Sequence, residues 1–346
     1  MNKNLPIVLR AAIAALAIVV FLEGCSSGSK HSGLFAIQQK GKYGYIDRKG
    51  QVVISPQFDG AGAFYEGLAD VRVGGKWGYI NSKGEFVINP QFDGNLSFSN
   101  GLAAVRVSDK LGFIDRTGKL LINPQFDQVQ FFAEGLCAVK VGEKWGYIDS
   151  TGKYVINPQF DAVGSFFDGL AAVKSGDKSG FMDKTGKTVV APQFDWIFDG
   201  SYLRLAGLSI EWPLPVKVGD KYGFVDKAGK YVINPQYDDA GNLSEGLAAV
   251  KKDGKYGFVD KTGSMVISPQ FESASFFSEG LASASTGGKT GFIDKTGKYV
   301  INPQFDSASF FVDGLAQVGI KGKDDKWAWG YIDKSGKYVF GPANPD

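Results

Sequence analysis

Lys144-Trp145-Gly146-Tyr147-Ile148-Asp149-Ser150-Thr151-Gly152-Lys153-Tyr154-Val155-Ile156-Asn157-Pro158-Gln159-Phe160 is the stretch that decides the fold. Two short runs of aromatic and β-branched residues flank a turn of Asp, small hydroxyl residues and Gly. That is the composition of two strands joined by a type I turn closed by a left-handed Gly. The same pattern recurs along the chain. Aligned on the Gly that follows the Trp, the copies fall at Gly44, Gly78, Gly112, Gly146, Gly180, Gly223, Gly257, Gly291 and Gly330. The spacings are 34, 34, 34, 34, 43, 34, 34 and 39 residues. A fixed period of this length marks a repeat architecture.

The repeats run over residues 33–340, with the last one partial, and leave no second domain. In one copy, Leu102-Ala103-Ala104-Val105-Arg106-Val107 reads as a strand, and Gly112-Phe113-Ile114-Asp115 as a second. Leu120-Leu121-Ile122-Asn123 reads as a third, stopped by Pro124, which cannot donate to a ladder. Residues 125–134 then return the chain to the next copy. Each unit is expected to be a three-stranded meander plus a connector, within an all-β fold. One copy has too few apolar side chains to offset the ordering of its backbone, so neighbours must stack. Such 34-residue hairpin repeats fit an open solenoid or a closed β-propeller. The short period and the nine copies favour the open solenoid, because propeller blades commonly need about 40–50 residues.

The carrying residues Lys76-Trp77-Gly78-Tyr79-Ile80, Lys144-Trp145-Gly146-Tyr147-Ile148-Asp149 and Trp329-Gly330-Tyr331-Ile332-Asp333 make the chain resemble the bacterial WG-repeat family. The Pro-Gln-Phe-Asp and Glu-Gly-Leu-Ala segments match too. The resemblance implies a β-repeat protein and says little about activity.

Residues 1–24 read as a signal peptide: Lys3 and Arg10 precede the apolar run from Ala11 to Leu22, which is too short to span a bilayer as a helix. Its end, Leu22-Glu23-Gly24-Cys25, resembles a lipoprotein processing site, although Glu23 departs from the usual small or apolar residue. The resemblance implies that Cys25 carries acyl chains, anchoring the protein to the bacterial envelope. Ser26 in place of Asp points to the outer membrane. An uncleaved anchor is the alternative. Residues 25–32 form a polar tether, and residues 341–346 a short tail.

Composition narrows the function. The net charge of +2 arises from 38 basic and 36 acidic residues that alternate along the chain, with no basic stripe for nucleic acid. Cys137 occupies an Ala column and reads as a small buried hydrophobe. His31, the only histidine, sits in the tether. No nucleophile–base set, metal-ligand spacing or phosphate loop is present, and no cofactor is implied. Asp168 and Asp183 are the kind of paired carboxylates a glycan-active enzyme would use, but acids spread evenly over repeats are poor evidence for one site.

Four features bear on binding. The Asp column (Asp47, Asp115, Asp149, Asp183 and their equivalents) reads as turn-forming Asp rather than as a cation ladder. The Gln column (Gln57 to Gln304) either stacks a sugar or, preferably, braces the connector. The column Tyr43, Trp77, Leu111, Trp145, Ser179, Tyr222, Tyr256, Thr290, Trp329 admits Ser and Thr, so partial exposure is expected. Its indoles Trp77, Trp145 and Trp329 are candidate binding residues, although packing within the repeat is the commoner role. Finally, the array is interrupted after Gly200 and again between Gly319 and Lys326. The first interruption supplies Tyr202, Arg204 and Trp212 as candidate contacts. The expected function is a non-enzymatic envelope scaffold binding a protein or glycan, or else a structural spacer touching the cell wall.

Overall fold

The computed structural model describes residues 33–198, 210–322 and 325–342. Within these, the chain is built from antiparallel strands and contains no helix. The strands sort into nine separate sheets, one of three strands and eight of four. No sheet runs on from repeat to repeat. This is the construction of β-propeller blades, the second of the two expectations, and the strands do not build an open solenoid.

A typical sheet comprises Gln128–Ala133, Leu136–Val141, Lys144–Asp149 and Tyr154–Phe160, in that order. The expected meander supplies its second, third and fourth strands. Its first strand comes from the segment read as a connector. In the copy before it, that strand is only Gly94–Asn95, which lies opposite Arg106 and Val105. Recruiting the connector is how a 34-residue period suffices for a four-stranded blade.

Pro124 does not end its strand, which runs from Leu120 to Phe126. The ladder makes room for it by a bulge. Phe113 faces Ile122 and Leu111 faces Phe126, so two steps on one strand oppose four on the other. The bulge pushes Ile122-Asn123-Pro124 towards Gly112, where a Cβ would lie 2.5 Å from the Ile122 carbonyl oxygen and 2.7 Å from the Pro124 nitrogen. The same approach recurs under all nine motif glycines, with carbonyl distances from 2.3 Å at Gly180 to 2.7 Å at Gly330. The Gly of the repeat motif is therefore demanded by the backbone around the Pro of the next strand, and not by its own backbone angles.

The chain divides into two compact units. In the first, residues 33–47 and 51–198, each core lies between consecutive sheets. Ala104, Phe113, Ile122 and Phe126 of one sheet meet Phe132, Cys137, Val139 and Ile148 of the next. The following core pairs Ala138, Tyr147 and Ile156 with Phe166, Ala171, Val173 and Met182. Alternate residues of each strand thus enter different cores, and both faces of a sheet are buried. The rings of Tyr79 and Phe98, and of Tyr147 and Phe166, meet edge-on with centroids 4.9 Å apart. Turn glycines complete the contact: a Cβ on Gly152 (φ +87°) would touch Ile122 Cγ2 at 3.1 Å.

The second unit holds residues 210–322 and 325–342 together with the turn Arg48–Gly50. Its cores follow the same plan, with Tyr256, Phe258, Ile267 and Phe271 against Phe277, Ala284 and Ile293. Within this unit the Arg48–Gly50 turn makes the contacts that other repeat turns make. Arg48 pairs with Asp313 at 2.6 Å, as Lys334 does with Glu279 at 3.0 Å, and Gly50 lies against Val339 as Gly336 lies against Ile301.

The Gly146→Ala variant is expected to lose at least about 2 kcal/mol in urea unfolding, because its methyl has no space beside the Ile156 carbonyl. Gly169→Ala, with φ +83° and nothing within 4 Å, should lose only the left-handed backbone cost of about 1–2 kcal/mol. Equal losses at the two sites would show that crowding at the bulge does not matter.

Candidate functional site

Three columns of acids line the array, and each is engaged in holding the fold. Asp115 Oδ1 accepts the backbone N–H groups of Thr117 at 2.9 Å and Lys119 at 3.0 Å, and the Thr117 hydroxyl at 2.6 Å. The hydroxyl and amide donors hold this carboxyl below its usual range. Asp149, Asp183, Asp260 and Asp294 repeat the arrangement. These are turn-forming aspartates, as their spacing suggests. Among the described residues no cluster of three or more His, Cys, Asp or Glu has the arrangement of a metal site.

The second column follows the Pro-Gln-Phe segment. Asp127 accepts from the Lys110 ammonium with one oxygen and from Gly142 N–H, at 2.7 Å, with the other, joining one sheet's third strand to the next sheet's hairpin. Asp93 and Asp161 do the same. The lysine is the main reason these carboxyls sit below the ordinary carboxylate range. These pairs are solvent-exposed, so their role is registration more than stability.

The third column clamps neighbouring sheets. Glu134 accepts from Asp168 N–H at 2.6 Å and Gly169 N–H at 3.1 Å, and pairs with Lys184 at 3.0 Å. Glu66 likewise receives Gly101 N–H and Arg116. In the second unit Glu245 receives Gly280 N–H and Lys295. Asp168 and Asp183, weighed as paired carboxylates, therefore stand in two different structural columns.

The tryptophan column is partly exposed at five of its nine members, the three indoles among them. Leu111, Ser179, Tyr222 and Tyr256 are buried, and the remaining members are only half-buried. Depth within the blade, rather than side-chain polarity, sets exposure here, so Ser179 does not mark an open surface. Trp77 lies under the Arg72 guanidinium, 5.6 Å from ring centroid to charge, and Trp145 faces Phe160 across the ladder. Trp329 stacks on Trp327 with centroids 5.2 Å apart and planes 14° from parallel. The Gln column is exposed in all eight copies; Gln125 reaches only its own Asn123 carbonyl, at 3.4 Å, and braces no connector.

Trp212 is half-buried and precedes the strand Leu214–Val218, beside Glu211, which accepts Gly246 N–H at 3.0 Å. It stands at the opposite end of that strand from Lys217, whose ammonium lies 5.8 Å over the ring of the column residue Tyr222. Within the second unit Trp212 and Trp329 thus mark opposite ends of their blades and do not form one site, and within the first unit Trp77 and Trp145 hold the same column position in different sheets. Tyr202, Arg204 and Cys25 lie outside the described residues.

Three residues that matter escaped the sequence reading. Asp70 stands in a column that is mostly alanine (Ala36, Ala104, Ala138, Ala172, Ala249) and is buried. Burial pushes its carboxyl above the usual carboxylate range, opposed by a hydrogen bond from Ser97, whose hydroxyl donates at 3.0 Å. Gly62 makes room for it: a Cβ there would sit 2.3 Å from Asp70 Oδ1. Asp239 is buried as well and accepts the Tyr256 hydroxyl at 2.7 Å. Burial, with the Asp239 charge added, pushes the nearby Tyr222 phenol up to about 12. The third is Trp327, which a Trp-Ala-Trp alternation on a strand would have placed on the same face as Trp329.

These features define a class: an all-β repeat protein of separate, mutually clamped blades. The chain belongs to the WG containing repeat family, whose profile matches residues 43–77, 77–110, 112–145, 145–178, 180–200, 222–256, 256–289, 291–323 and 329–343. No curated protein matches it. Among solved structures it is similar to Kluyveromyces lactis Hsv2, at 9% identity over 78% of this chain and 95% of that one, with a TM-score of 0.36. It is also similar to puromycin hydrolase, at 10% identity over 94% of this chain and 54% of that one, with a TM-score of 0.39. This chain thus spans about half the length of puromycin hydrolase. At such scores neither likeness bears on function.

Because the folded pKa of Asp70 is raised, the folded state holds that proton more tightly than the unfolded chain does. Its contribution is complete below the unfolded value of about 3.9 and is lost as pH rises through the folded pKa. Asp70→Asn should therefore raise Tm at pH 7 and leave it nearly unchanged at pH 3. A lower Tm for the variant at pH 7 would contradict this account.

Proposed function

We propose that this protein is a non-enzymatic scaffold of the bacterial cell envelope, anchored through acyl chains on Cys25, whose repeats present a surface to a protein or glycan partner. The observation that carries the reading is the commitment of the acid columns. Asp115 and its equivalents close turns, Asp127 and its equivalents register hairpins, and Glu134 and its equivalents clamp sheets. Acids held below their usual range by fixed hydrogen-bond donors are poor proton donors at neutral pH, which weighs against general acid catalysis. What faces solvent is a repeated set of amides and aliphatic side chains, such as Gln159 and Val155, together with Trp327. Such groups recognise surfaces rather than turn over substrates.

Two measurements test the reading. Substituting Cys25→Ser in the full-length protein should move it from the membrane to the soluble fraction. Cross-linking of the wild-type protein in intact cells, followed by mass spectrometry, should return a defined partner or cell-wall fragment. Unchanged membrane association of the Cys25→Ser protein would remove the acyl anchor. Absence of any reproducible cross-linked partner would remove the scaffold role.

A further inference from the structure

The last repeat breaks the rules that the other eight obey. In them the column residue follows a Lys whose ammonium reaches a carboxylate on the connector: Lys42, Lys76, Lys110, Lys144, Lys178, Lys221, Lys255 and Lys289. Two places before the column residue stands Gly or an acid, as in Gly75, Glu143 and Gly254. The last repeat has Trp327-Ala328-Trp329 instead. Ala328 is buried where the lysines are exposed, and Trp327 replaces the Gly or acid.

The hairpin is rebuilt around this change. Its strands Leu315–Lys321 and Trp327–Asp333 are longer than those of other repeats, and Gly319 faces Trp329 while Lys321 faces Trp327. Gly319 lets the inner indole lie flat: a Cβ there would be 2.7 Å from the ring. Trp327 stacks on that indole and is 43% exposed, the largest exposed aromatic side chain among the described residues. The base is fixed, since Lys321 N–H donates to Asp306 at 2.9 Å. Beside the outer indole stands an ion pair, Lys321 Nζ to Asp325 Oδ1 at 2.7 Å, with Asp325 84% exposed.

We propose that Trp327, supported by Trp329 and flanked by Lys321 and Asp325, is a saccharide-stacking platform that takes one pyranose ring of an oligosaccharide. The inference rests on the scaffold reading above and names its ligand class. A planar, solvent-facing indole matches the C–H face of a pyranose. Vicinal hydroxyls both donate and accept, and the adjacent ammonium and carboxylate offer the complementary directions. A small flat site with a few placed polar groups is the common form of small-ligand recognition. A peptide would be served instead by an unpaired strand edge, whereas the residues beside the tip of this hairpin, Gly319 and Lys321, are paired across to Trp329 and Trp327.

The test uses the full chain, titrated with cellotriose and with the N-acetylglucosamine trimer, followed by tryptophan fluorescence and calorimetry. Saturable binding by at least one trimer, with Kd of about 1 mM or tighter, is expected. Trp327→Ala should weaken it at least about tenfold, and Trp327→Phe should stay within about threefold of wild type. Circular dichroism melting of both variants, at an exposed position, should match wild type. Binding unchanged in Trp327→Ala, or no response of the wild type to either trimer, overturns the platform. A cross-linked protein partner retained by Trp327→Ala in that second case would leave the scaffold reading standing.

Discussion

The architecture depends on one close approach. In every repeat the backbone of the bulge before the Pro presses onto the motif Gly of the adjacent strand, at a distance no Cβ could share. This single constraint fixes the last two strands of each sheet against each other and lets a Pro sit inside a strand. It aims the residues on either side of the bulge, such as Ile122 and Phe126, into the same core. A side chain in place of that Gly would not merely fill space. It would push apart the two strands on which both neighbouring cores are built.

From this follows the economy of the repeat. A sheet such as that of residues 128–160 buries both faces and so lends half of two cores, and aromatic pairs such as Tyr147 with Phe166 lock the contact. Charged residues then set registration. The clamp acids reach glycine amides and basic residues of the next sheet, and the connector acids bind a lysine on one side and a turn amide on the other. Exposed ion pairs of this kind add little energy singly, and their repeated geometry fixes how each sheet sits against the next. Departures from the pattern are therefore informative. Asp70 buries a carboxyl where its neighbours have Ala, and Trp327 with Ala328 gives up a lysine bridge for an indole stack.

Some of this was plain in the residues and some was not. The Asp turns were legible because an Asp side chain bonds amides two and four residues on, within one local segment. The partial exposure of the tryptophan column is legible from its tolerance of Thr290 and holds for all three indoles, whereas Ser179 is buried. The Gln column was expected to brace the connector, but each Gln lies on the solvent side of an edge strand. Of the candidate site, Trp329 was named from its column, whereas Trp327 and its stacking became evident only with the hairpin register in hand.

The amino-acid order alone determined the period, the strand and turn positions and the need for neighbours to stack, because these follow from local backbone preferences and from apolar area per repeat. Tertiary structure decided what local preference cannot. The connector becomes a strand of the following sheet, Pro is carried through a ladder by a bulge, and a carboxylate finds its partners 35 and 50 residues away. Those outcomes depend on how strands from different repeats exclude and cover one another, and that is settled only when the sheets are packed.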